Sequence, residues 1–122
     1  TPPWGKIISI DISNAKISWE IPFGEEIIAN KNINGLQNFG GIVNTSSNIF
    51  FATGTTDEKV YAFDTKNGDM LWSDHLPAAG SAPPMTYKYN GCQYIIFNAT
   101  GGRFFGFKKN LDATLAYKLN TC

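Results

Sequence analysis

The chain has 122 residues, 43% of them hydrophobic and 16% charged, which is room for one ordinary domain with a buried core. Ten basic residues balance ten acidic ones, which argues against a general electrostatic grip on nucleic acid or on an anionic membrane surface. A single histidine, His75, argues against a Ser-His-Asp or multi-histidine metal site, and no apolar run approaches the roughly 18 residues that cross a bilayer. The two cysteines, Cys92 and Cys122, match neither a metal-ligand spacing nor a disulfide framework, and Cys122 is expected in a frayed tail.

Short runs rich in Ile, Val, Phe, Tyr and Thr, bounded by Gly, Asn, Asp and Pro, predict strands throughout. In chain order they are 6–11, 16–20, 42–45, 48–53, 59–64, 69–73, 84–87, 93–98 and 112–119. No segment holds a 3.6-residue apolar period, so helix is expected for at most one turn, within 25–35.

The strands repeat. Ile8-Ser9-Ile10-Asp11 is matched by Tyr61-Ala62-Phe63-Asp64, and a tryptophan follows eight residues after each Asp, at Trp19 and Trp72. Leu115-Ala116-Tyr117-Lys118 begins a third copy about 54 residues later. This period is close to that of four-stranded propeller blades, roughly 40–50 residues. Asp11 to Lys16 and Asp64 to Asp69 are expected to be tight polar turns between antiparallel strands, with Gly68 supplying left-handed backbone in the second. Ala15 replaces that glycine in the first copy, so Asn14 is expected to take the conformation there. The recurring tryptophans are expected to fill the gap between neighbouring sheets, each indole N–H donating to a backbone carbonyl of the next blade.

The expected order is two strands of one blade, a complete four-stranded blade over 42–73, and three strands of another over 84–119. In such a meander the loops at 21–41, 54–58, 74–83 and 99–111 share one face. Two of them are long, and long loops over a rigid β scaffold are where binding concentrates.

Several stretches resemble the final blades of the pyrroloquinoline-quinone (PQQ)-dependent dehydrogenases, and in particular the membrane-bound glucose dehydrogenase branch. They are Pro2-Pro3-Trp4-Gly5, Asn38-Phe39-Gly40-Gly41, Gly54-Thr55-Thr56-Asp57, Leu71-Trp72, Pro84-Met85-Thr86-Tyr87 and Ala116-Tyr117, in that order. The resemblance covers nearly the whole chain. It implies an all-β fold, part of an eight-bladed propeller, with residues 1–122 as a single carboxy-terminal fragment of about two and a half blades. Asp11, Trp19, Asp64 and Trp72 would be structural docking residues.

The resemblance also implies function. The full protein would hold PQQ and a calcium or magnesium ion near the central axis, and would oxidise a sugar or alcohol by proton removal and hydride transfer. Electrons would pass to a quinone or a cytochrome, in the periplasm of a bacterium, with a possible inner-membrane anchor. The family's general base and metal ligands lie in earlier blades, so no catalytic or metal residue is expected here, and the fragment is expected to bind no cofactor and to be inactive alone. Asn38, Gly40 and Gly41 match the start of an inner strand near the cofactor; the glycines would either let backbone approach the quinone or simply turn the chain into the strand. Asp57 is either a substrate-side residue or a solvated turn residue. Arg103 stands where the glucose branch has a histidine near the substrate, a departure that suits pairing with a carboxylate instead. His75 reads as structural. A non-catalytic propeller scaffold for protein interactions is the alternative from another class. Expected partners are the remainder of the propeller and, through open sheet edges, other copies of the chain.

Overall fold

The computed structural model describes residues 1–102, 106–120 and 122, and these form antiparallel sheets joined by turns and loops. Strands β1 (Lys6–Asp11) and β2 (Lys16–Pro22) pair as the first blade. A hairpin of β3 (Glu25–Ile28) and β4 (Lys31–Asn34) follows. The second blade is a four-stranded meander of β5 (Ile42–Asn44), β6 (Ile49–Thr53), β7 (Lys59–Asp64) and β8 (Met70–His75). The third is built from β9 (Met85–Tyr89), β10 (Cys92–Gly101) and β11 (Asn110–Lys118), with β10 in the middle.

The helical turn expected within 25–35 is not there; the segment is the β3–β4 hairpin. Its turn is Ala29-Asn30, both with left-handed φ (49° and 60°), which is the geometry a two-residue hairpin loop needs. Glu25, Glu26 and Lys31 disguise it, because charged residues in a short strand leave little apolar alternation to read.

The two polar turns share their backbone-to-side-chain bonds. Asp11 accepts from the Ser13 amide at 2.9 Å and Asp64 from the Lys66 amide at 2.8 Å. Three residues on, Asn14 accepts from the Lys16 amide at 3.0 Å and Asn67 from the Asp69 amide at 2.9 Å. The left-handed position is the next one in each, Ala15 (φ 56°) and Gly68 (φ 78°), so Ala15 and not Asn14 takes that conformation. Asn14 is held by its own side-chain bond, and the geometry passes to whichever residue follows, at a cost to alanine of about 1–2 kcal/mol.

Alternation along the central strands divides the core in two. Phe50, Ala52, Tyr61 and Phe63 meet Ile7, Phe23, Trp19 and Ile21. Val43, Phe51 and Val60 turn the other way, onto Ile95, Phe97, Ala99, Leu115 and Tyr117. The second blade is therefore apolar on both faces, as a sheet between two neighbours must be.

Trp19 packs against the second blade. Its ring stacks on Phe50 with centroids 6.0 Å apart, its face lies on Gly68, and Nε1 donates to the Thr65 carbonyl at 3.1 Å. Trp72 does not repeat this. It is 38% exposed, its ring meets Tyr117 edge-to-face at 5.3 Å, and its N–H reaches no protein acceptor among the described residues. The two cysteines also depart from expectation: they form a disulfide with Cα atoms 5.5 Å apart, which ties the segment after β11 to the start of β10. The pairing was hidden because 30 residues and a whole strand pair separate them.

Gly68 tests the docking. A Cβ there would lie 2.9 Å from the Trp19 ring, whereas one at Gly91 (φ 80°) would meet nothing within 4 Å. Both substitutions to alanine carry the left-handed cost, about 1–2 kcal/mol. Gly68→Ala should cost about 1–3 kcal/mol more than Gly91→Ala, because the indole must shift. Urea denaturation midpoints of the two variants provide the comparison.

Candidate functional site

The face formed by the longer loops is dense with main chain. The Phe39 amide donates to the Gly54 carbonyl at 2.9 Å, the Thr53 amide to the Gly41 carbonyl at 3.3 Å, and Asn38 bridges to Thr55. A Cβ on Gly40 would run into the Thr53 carbonyl and Gly54, and one on Gly41 would lie 2.8 Å from Pro83. These glycines are required by contacts within the chain itself. The space that a Cβ would fill at either position is already occupied by protein. Asn38 and Phe39 are exposed, with Phe39 edge-on to Phe107 at 6.1 Å.

Asp57 sits at the centre of a polar node. It accepts from the Glu25 amide (3.0 Å), the Thr55 hydroxyl (2.5 Å), the Lys59 amide (3.2 Å) and the Tyr61 hydroxyl. This carboxylate pins the β3–β4 hairpin to the second blade and is not a free solvated turn residue. It borders a polar cleft of about 490 Å³ whose wall includes Glu25, Glu26, Lys59, His75 and Lys108. Three ion pairs cross the same region: Lys59–Glu25 (3.2 Å), Lys108–Glu26 (2.8 Å) and Lys109–Glu58 (2.9 Å). The bond to Glu26 is the main cause that raises the Lys108 pKa. Together these pairs link the β3–β4 hairpin, the second blade and the third blade across one face. Partly exposed pairs contribute up to about 1 kcal/mol each, so they set geometry more than stability.

Asn38, Gly40 and Gly41 are brought together with Thr53–Thr55, and Thr55, whose hydroxyl donates to Asp57, connects this group to the polar node. Arg103 lies outside the described residues. Asp11 and Asp64 each anchor a polar turn and Trp19 packs on the second of them; Asp11 carries a lowered pKa, chiefly from the Ser13 hydroxyl bond. Among the described residues no three His, Cys, Asp or Glu side chains gather where a metal ion would sit. Tyr61, Lys59 and the Glu26–Lys108 pair were missed by sequence reasoning. Glu26 and Lys108 stand 82 residues apart, so nothing local announces their meeting.

An indole docked between two blades, antiparallel strands with alternating burial and closely packed main chain at one end of the strands define a quinoprotein-type β-propeller. The family profile "Glucose/ethanol/alcohol dehydrogenase, beta-propeller domain" matches residues 1–95, and the chain belongs to this PQQ-dependent dehydrogenase family. It is 35% identical to the quinoprotein glucose dehydrogenase of Escherichia coli (strain K12) over 97% of its own length and 16% of the relative's. Identity is also 35% to the glycerol dehydrogenase large subunit of Gluconobacter oxydans, over 97% of this chain and 17% of that one. A solved quinohemoprotein alcohol dehydrogenase of Pseudomonas putida matches with a TM-score of 0.71 at 27% identity, over 93% of this chain and 16% of that chain. The chain thus spans about a sixth of the length of the relatives it matches.

The Asp57 node makes stability pH-dependent in the alkaline range. Burial, then the bond to Asp57 and its charge, raise the Tyr61 phenol far above its ordinary value of 10.0. Burial and the Asp74 carboxylate at 3.0 Å push Tyr117 up to about 12. Above pH 10 the unfolded chain releases these protons while the folded chain keeps them. The folded state then binds more protons, so stability falls as pH rises, by up to about 1.4 kcal/mol per pH unit for each group. Tyr61→Phe should remove about half of that slope in denaturation series from pH 8 to 11, leaving the half that Tyr117 carries. Asp57→Ala, which strands several donors, should cost about 2–4 kcal/mol at pH 7 by the same measurement.

Proposed function

We propose that this chain is a sector of the catalytic propeller of a PQQ-dependent dehydrogenase that oxidises a hydroxyl group of a sugar or polyol, and that the sector alone does not turn over. The observation that carries this reading is the pair of open sheet faces. Ile8, Ile10 and Ile17 on the first blade and Met85, Tyr87 and Tyr89 on the third are all exposed. Flat apolar faces at both ends of a blade series suit burial against further blades, and the remainder of the propeller is the partner we assign to them. Without it, copies of the chain should associate through the same faces.

The site reading follows the geometry. PQQ, when bound to the whole protein with its calcium or magnesium ion, supplies the hydride acceptor. Within this chain Asn38 is the side chain we assign to the cofactor side, because the residue is exposed at the crowded edge where it bridges to Thr55. Gly40 and Gly41 set its position through their contacts with Thr53, Gly54 and Pro83. Asp57 is a positioning residue, and Arg103 remains the proposed substrate-side cation. Relatives named for glucose and for glycerol are equally similar, so the substrate class stays at sugars and polyols. The disulfide supports an oxidising compartment such as the periplasm, and the family reading supports a quinone or cytochrome as electron acceptor.

A sector exchange tests this. The chain replaces the matching sector of the E. coli glucose dehydrogenase, and the chimera is loaded with PQQ and magnesium. Substrate-dependent dye reduction is expected, together with cofactor retention that Asn38→Ala weakens roughly tenfold (about 1.4 kcal/mol). A folded chimera that retains no PQQ would overturn the reading. Dye reduction by the isolated chain with quinone, calcium and sugars would overturn its inactivity.

A further inference from the structure

We propose that the Cys92–Cys122 disulfide does in the third blade what a glycine seat for tryptophan does in the second, so that the junction of these blades depends on thiol oxidation. The two docking sites can be matched residue by residue. Asp64 lies opposite Ile49 in the second blade, and Lys118 lies opposite Tyr94 in the third. Counting outward from these pairs, Thr65 corresponds to Leu119 and Asn48 to Gln93. The main chain repeats there: the Thr65 amide donates to the Asn48 carbonyl at 2.9 Å, and the Leu119 amide to the Gln93 carbonyl at 3.3 Å. By the same count Ser47 corresponds to Cys92 and Gly68 to Cys122, although the turn closes differently: the Gly68 amide donates to the Asp64 carbonyl at 2.9 Å and the Cys122 amide to the Leu119 carbonyl at 3.3 Å. The disulfide joins the positions that, by count, match Ser47 and Gly68.

The exchange explains the unequal tryptophans. Trp19 covers Gly68 so closely that a Cβ would lie 2.9 Å from its ring, and it gains the Thr65 carbonyl. At the position matched by count, Cys122 carries a side chain where the second blade has glycine. Trp72 stays partly exposed, its N–H finds no protein acceptor among the described residues, and a cleft of about 400 Å³ bordered by Leu71, Trp72, Tyr117, Leu119 and Asn120 remains beside it. The disulfide instead ties the segment after β11 to the start of β10. Its formation takes two thiols to one S–S bond, releasing two protons and two electrons to a protein disulfide donor. A dithiol such as dithiothreitol reverses this, returning both thiols as its own sulfurs pair. The inference stands apart from the dehydrogenase reading, since it concerns the joint between blades.

Amide hydrogen exchange of the intact chain, before and after dithiothreitol, reads the joint directly. Native alkylation should find no free thiol. After reduction the Leu119 amide should exchange at least about tenfold faster, while the matching Thr65 amide changes less than about twofold. The Cys92→Ser/Cys122→Gly variant restores a glycine seat and should bring Leu119 to within about threefold of the oxidised rate. Cys92→Ser/Cys122→Ser should stay at the reduced rate. Free thiols in the native chain, an unmoved Leu119, or identical rates in the two double variants would each overturn the proposal.

Discussion

Everything in this structure depends on sheets being held face to face, and the best-defined hold is the Trp19 indole. It acts on three groups at once: the Phe50 ring, the flat surface of Gly68, and the Thr65 carbonyl. A large apolar surface provides most of the attraction, and the single hydrogen bond, about 1 kcal/mol net, fixes the direction. The Asp64 turn must have its left-handed corner for this to work, because that corner presents a bare backbone surface to the ring. The acidic turn and the tryptophan are thus two halves of one joint, contributed by successive blades.

The opposite end of the blades relies on different chemistry. There the joints are ionic and main-chain: Asp57 collects donors from the hairpin and from its own loop, while Lys59, Lys108 and Lys109 reach carboxylates on neighbouring segments. Glycines at 40 and 41 bring strands to backbone contact. One face is closed by an apolar wedge and the other by charges and close-packed main chain, and together they keep the blades from splaying.

Much of the architecture was legible before any coordinates. The strands stand out because β-branched and aromatic residues alternate between firm turn signals, and the repeat stands out because the turn and the indole keep a constant spacing. The β3–β4 hairpin was not legible, since its turn places Ala29 in a left-handed conformation that alanine rarely advertises. The cysteine pair and the Glu26–Lys108 contact were hidden by distance along the chain. Trp72 shows the limit of repeat logic: an equal spacing predicts an equal partner only if the receiving turn keeps its glycine. At the candidate site the residue types were found, but the roles of Gly40 and Gly41 needed coordinates, because a glycine's reason lies in what stands opposite it.

The two-sided burial of β6 and β7 has a consequence for how this sequence tolerates change. Phe50 and Phe51 are neighbours in sequence yet serve different cores. Inserting or deleting one residue in either strand would exchange the two sets of side chains and spoil both interfaces together. Evolutionary drift in length is therefore confined to the loops, and the middle blade sets the frame within which the outer two can vary.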